Sequence, residues 1–140
     1  MIAIRLNFQP GVPVYQQVVY AAKKAIIVGQ MRPGDRFPSV RTLSQELKIN
    51  PNTAHKVVTQ LISDGLLEVH PGRGTVVAEL PASTARERTQ LLKGELEALV
   101  VEAKRLQMDL GDVQAALSDH WERLGSETRP AGSSQRKGEK

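Results

Sequence analysis

Cysteine is absent from the 140 residues, which excludes a disulfide framework and thiolate metal sites. Aromatic residues are scarce, with two Phe, two Tyr and one Trp making up 4% of the chain, so any core must be mostly aliphatic. No apolar run approaches the roughly 20 residues that a membrane-spanning helix needs. The N-terminus lacks the basic-then-apolar pattern of a signal peptide, so no membrane partner and a cytoplasmic location are expected. His55, His70 and His120 are too scattered for a metal cluster, and no carboxylate pair has zinc or glycosidase spacing. There is no nucleophile elbow around a serine and no Gly-rich loop before a P-loop lysine. An enzyme is therefore not expected, nor a metal or cofactor.

What is present suits a soluble globular chain, with 24% charged and 40% hydrophobic residues. The length allows one ordinary domain, or a small one with an appendage. The net charge of +4 is unevenly spread. Residues 1–80 hold nine Lys/Arg against five Asp/Glu, residues 81–124 hold six against eight, and the tail from Gly125 holds four against two. The basic excess near the N-terminus marks that region as the one to meet a polyanion.

The stretch from Arg36 to Thr75 organises the chain. Ser39, after Pro38, is placed to cap a helix running to about Leu47, and Val40, Leu43 and Leu47 give it one apolar face. Lys48-Ile49 is a turn. Asn50 then caps a second helix with Pro51 at its first position, running to about Asp64 and ended by Gly65. Ala54, Val57, Val58, Leu61 and Ile62 form its buried stripe, which leaves Asn52, Thr53, His55, Lys56 and Thr59 on the other faces. A first turn offering amides, a hydroxyl, an imidazole and an ammonium suits base edges and phosphates in a major groove. A merely solvated face is the bland alternative, and the hairpin that follows weighs against it. Leu66–His70 and Thr75–Ala78 are β-prone, and Pro71-Gly72-Arg73-Gly74 joins them with glycines that permit positive φ. Arg73 is expected to project from the hairpin tip towards a minor groove or a phosphate. The layout is a winged helix-turn-helix, so the fold class is mainly α with a small β wing.

These residues resemble the GntR family of transcription regulators, and within it the short YtrA-type subgroup. The resemblance is carried by Pro13–Val18, Pro33–Arg41, Leu43–Leu47, Ile49–Thr53, Asp64–Leu66 and Gly72–Thr75, in order and at matching spacing over roughly residues 10–80. It implies a dimer on an operator palindrome, usually repressing. It also implies that Arg36-Phe37 forms a minimal strand beside the wing and that Arg41 touches DNA. The candidate DNA contacts are Arg41, Asn50, Asn52, Thr53, His55, Lys56, Gly72 and Arg73. Many members carry arginines in the first turn of the second helix. Here Pro51 and Asn52 stand there with His55 further on, so the operator sequence does not carry over.

Around this centre, Ile2, Ile4, Leu6 and Phe8 alternate with polar residues, as in an edge strand or an extended arm. Pro13 opens a helix expected to reach about Gln30, with Tyr15, Val18, Val19, Ala22, Ile26 and Ile27 as its apolar positions. Pro81 marks a boundary. Beyond it Leu92, Leu96, Leu99, Ala103, Leu106 and Leu110 form a heptad seam, in a helix capped by Ser83 or Thr84, weakened at Gly94 and ended by Gly111. A second helix capped by Asp112 carries Val113, Leu117, Trp121 and Leu124, with Trp121 as a core or interface anchor. Such faces suit pairing with a second copy in a small four-helix arrangement, and a helical C-terminal pair is also what the resemblance implies. Folding back on its own domain is the alternative for the seam. The domains expected are 1–80 for DNA binding and 81–124 for dimerisation, with a tail at 125–140 whose composition is that of a disordered segment.

The reading is a homodimeric repressor whose partner is double-stranded DNA. Two rivals stand beside it: an effector-responsive regulator with a ligand site at the C-terminal helices, and an adaptor that uses the winged helix to bind protein.

Overall fold

The computed structural model describes residue 4 and residues 6–128. Ile2 and the segment after residue 128 lie outside the described residues. The chain divides into one compact unit built on residues 1–80 and another spanning Pro81–Ser126.

In the first unit, α1 (Val14–Ile27), α2 (Val40–Leu47) and α3 (Pro51–Ser63) precede an antiparallel hairpin of β1 (Leu67–His70) and β2 (Gly74–Val77). Ala54, Val57, Val58 and Leu61 recur at i, i+3, i+4 and i+7 and bury one stripe of α3 against α1 and α2. Val18, Ala22, Ala25 and Ile26 do the same for α1, and Leu43 for α2. Leu66, Leu67 and Val77 carry the hairpin into the same aliphatic core. Complete burial of Leu43 or Leu61 stabilises the unit by about 1.5–3 kcal/mol each. Ile62 and Ile27, expected in the buried stripes, face solvent. Ile4 is buried in this core and Leu6 packs on it, yet neither they nor Asn7 and Phe8 form a strand. The N-terminal stretch is an arm whose alternation reflects one face resting on the core.

Two helices of this unit end in the same backbone device. α3 stops at Asp64 because Gly65 takes φ +80, with the Leu66 amide donating to the Leu61 carbonyl and the Gly65 amide to Ile62, both at 3.0 Å. α1 stops the same way at Gly29, φ +86, where the Gln30 amide donates to Ala25 at 2.9 Å. The helix is therefore shorter than the apolar pattern suggests, ending at Ile27 rather than Gln30.

The second unit begins with α4 (Ala85–Gln90), passes through a π-helical turn (Leu91–Glu95), and continues as α5 (Leu96–Arg105). Thr84 caps it: its hydroxyl accepts the Glu87 amide at 3.0 Å, and the Glu87 carboxylate accepts the Thr84 amide at 2.9 Å. Gly94 lies in the π turn, which inserts a residue into the seam between Leu92 and Leu96.

The seam also ends earlier than the sequence pattern implies. Gln107 adopts φ +61, and the Met108 and Gln107 amides donate to the Ala103 and Lys104 carbonyls at 3.0 Å. Leu106 caps α5, and Leu110 opens α6 (Leu110–Thr128), so Leu110 is not on the same helix as Leu92–Ala103. Gly111 sits inside the first turn of α6 rather than ending a helix, and the carbonyl of Asp109, not Asp112, receives the first helical amides. α6 also runs through Gly125, where the composition places the start of the tail.

Candidate nucleic-acid interface

The helix-turn-helix is held at both of its joints by local bonds. Ser39 Oγ accepts the Thr42 amide at 3.1 Å and starts α2. Lys48 then takes the left-handed conformation, φ +58, and the Ile49 amide and carbonyl both bond to Ser44, at 3.0 and 2.6 Å. The chain therefore leaves α2 and enters α3 within Lys48–Asn50. Asn50 Oδ1 accepts the Asn52 amide at 2.7 Å, and Pro51 occupies the first turn. Asn50 serves first as a cap, leaving its amide NH2 as its outward donor.

On the face of α3 opposite its buried stripe lie Asn52, His55, Lys56 and Thr59, again at i, i+3, i+4 and i+7, all exposed, with Thr53 half-buried at the edge. No acidic residue interrupts that face, and none lies in the first turn. Arg41 is exposed at the second position of α2. The set offers amides, hydroxyls, an imidazole and cations, donors matched to base edges and phosphate oxygens.

The wing turns at Pro71-Gly72. The Arg73 amide donates to the His70 carbonyl at 3.0 Å, with Pro71 second and Gly72, φ +81, third in the turn, the pattern of a type II turn. The register pairs His70 with Gly74 and Leu67 with Val77. The expected minimal strand at Arg36-Phe37 is present as a bridge from Arg36 to Val76. It is reinforced by Phe37 N–H to Thr75 O and Val77 N–H to Asp35 O, each 2.8 Å.

Two features of this surface were not read from the sequence. Arg73 is exposed, but its side chain does not project freely. Its Nη2 donates to the Gly34 carbonyl at 2.8 Å, tying the wing tip to the loop before α2. The partners lie 39 residues apart, and no local spacing announces such a bond. The Lys56 ammonium stands 4.0 Å from the centroid of the Tyr15 ring, which the apolar pattern had marked only as a core position of α1.

The seam residues give a different picture. Leu92, Leu96, Leu99, Leu106, Leu110, Leu117 and Trp121 are all exposed in the single chain, Trp121 by 76%, and Ala103 is the buried exception among the unit's described residues. Along α5 the Arg105 guanidinium donates to the Glu102 carboxylate, which raises its pKa above the ordinary arginine value.

The described residues contain no group of His, Cys, Asp and Glu able to hold a metal, and no helix long and apolar enough to cross a membrane.

Comparison with known proteins agrees with this geometry. The family of bacterial regulatory proteins of the gntR type matches residues 14–77, the span from α1 to the end of β2. The HTH-type transcriptional repressor YtrA of Bacillus subtilis (strain 168) is 34% identical over 101 residues, covering 71% of this chain and 78% of the relative. Among solved structures, a transcriptional antiterminator from Listeria monocytogenes EGD-e superposes with a TM-score of 0.78, covering 89% of this chain and 93% of that one. At 18% identity that likeness speaks for the fold alone. YtrA from Sulfolobus acidocaldarius, a GntR-family transcription factor, superposes at 0.54 with 26% identity, over 68% of this chain and 97% of that one. An alignment of 101 residues is longer than the whole winged unit and must enter the helices beyond Pro81. The likeness to YtrA thus takes in part of the C-terminal segment as well as the DNA reader, and the chain belongs to the GntR family of transcription regulators, in its YtrA-type subgroup.

Proposed function

We propose that the chain is a homodimeric repressor that binds a palindromic operator and blocks a promoter by occupying it. The observation that carries this reading is the outward stripe of α3, where Asn52, His55, Lys56 and Thr59 are exposed together on a capped helix free of acidic side chains. α3 lies in the major groove, with Asn52, Thr53 and His55 on base edges. Arg41, Asn50 and Lys56 take phosphates, and the wing tip at Gly72 and Arg73 meets the flanking backbone.

Dimerisation is supported by the second unit. Its large apolar side chains, from Leu92 to Trp121, are exposed in the single chain, and a second copy supplies the cover they lack. Two copies related by a two-fold axis match a palindrome, and the name of the Bacillus relative, a repressor, supports the sign of regulation. The site of action is the cytoplasm, where promoter DNA lies in a bacterial cell.

A salt series of gel shifts with the chain's own upstream DNA tests the reading. A specific band that weakens with salt, formed by two chains per duplex, is the expected result. Binding that ignores sequence, or a monomer on DNA at every concentration, overturns it.

A further inference from the structure

Lys56 lies on the outward stripe of α3, yet its ammonium is not loose. It sits 4.0 Å from the centroid of the Tyr15 ring. Tyr15 belongs to α1, is half-buried and packs against the core, so the ring is a fixed object. Among the described residues no ion pair engages Lys56. This combination is unusual in its consequence. A carboxylate partner would hold the ammonium but cancel its charge. An aromatic face holds it and leaves the charge intact for a phosphate. A free lysine loses rotamer freedom when it meets its target, and a lysine already seated on a ring has less to lose.

We propose that Tyr15 is a positioning residue for DNA binding: its ring seats the Lys56 ammonium beside α3 in the place where a backbone phosphate is met. The inference rests on the reading of α3 as the DNA-facing helix, and it adds a residue of α1 to the binding machinery.

The test uses the full chain and a duplex that the wild type selects from a random-sequence pool, titrated by fluorescence anisotropy over a range of salt. Lys56→Ala is expected to reduce the salt slope by about one unit. Tyr15→Leu is expected to weaken binding about 2- to 5-fold, and to cause no further loss in a chain already carrying Lys56→Ala. Tyr15→Phe, which keeps the ring, is expected to bind like the wild type.

Equal losses from Tyr15→Leu in both backgrounds, a Phe variant as weak as the Leu variant, or tighter binding by Tyr15→Leu would each overturn the proposal. If Tyr15→Leu fails to fold, a series of increasingly fluorinated phenylalanines at position 15 decides instead. Their drained ring faces must weaken binding stepwise, and a flat series refutes the role. The two levels of failure are distinct. A wild type that selects no duplex defeats the DNA reading together with this inference. A Lys56→Ala variant with unchanged affinity and slope defeats the Tyr15–Lys56 role alone.

Discussion

The two units treat their apolar side chains in opposite ways. In residues 1–80, helices and hairpin bury Val18, Leu43, Leu61, Leu67 and Val77 almost completely, in a core that one chain supplies by itself. In Pro81–Ser126, leucines of equal size stay open and the single buried apolar residue among those described is the small Ala103. Both stretches are written in the same helical period. The difference lies in what each helix meets: three helices and a hairpin close on one another, whereas among the described residues α5 and α6 offer stripes that stay exposed. The contrast teaches that amphipathic pattern signals a need for burial without naming the surface that meets it.

The largest expected effect breaks the second unit. Leu99→Asp combined with Leu96→Asp puts carboxylates on the open stripe of α5 and is expected to leave a folded winged unit in a monomeric chain. Operator affinity should fall by roughly 10²- to 10⁴-fold as two linked half-site contacts become independent. Light scattering and circular dichroism read mass and fold together, and a dimer of unchanged stability would place the interface elsewhere.

Next comes the core of the first unit. Leu61→Ala is expected to cost about 2–5 kcal/mol of stability in urea denaturation, at any protein concentration. Leu99→Ala should instead give a loss whose size depends on concentration, because in the proposed dimer its cover comes from a second chain. Identical concentration dependence for both variants would erase the distinction between the units.

Within the reader, Asn52→Ala and His55→Ala are each expected to cost about 1–3 kcal/mol in specific binding, with non-specific binding little changed. Competition assays against base-substituted operators read this directly, and an unaltered preference in both variants would remove them from the readers. The smallest effect belongs to Arg73. If its guanidinium leaves the Gly34 carbonyl for a phosphate, Arg73→Ala lowers the salt slope by about one unit. An unchanged slope with a lowered melting temperature would make Arg73 a strut of the wing instead.

Much of the reader was legible because its signals are local. Ser39 and Asn50 as caps, Pro51 at a first turn, Gly65 after a last one and Gly72 in a tight turn each act on neighbours a few residues away. In the C-terminal helices two local signals compete. Gly111 and Asp112 look like a stop and a start, but α6 already runs from Leu110 and Gln107 makes the break, a residue with no glycine's freedom at φ +61. The shortfall of α1 has the same origin: the apolar period continues past Ile27, while the backbone turns at Gly29.

Order along the chain was enough to establish a capped helix pair, a glycine hairpin and two further amphipathic helices, since caps, turns and periodicity are set by residues within a turn of one another. It was not enough to seat Lys56 on Tyr15, to fold Arg73 back onto Gly34 or to leave the leucines after Pro81 uncovered. The first two outcomes depend on which distant surfaces come together, and that is settled when the core of α1, α2, α3 and the hairpin packs, because only then do residues some 40 apart share a position in space. The third depends on what surface meets each stripe, which helical period does not specify.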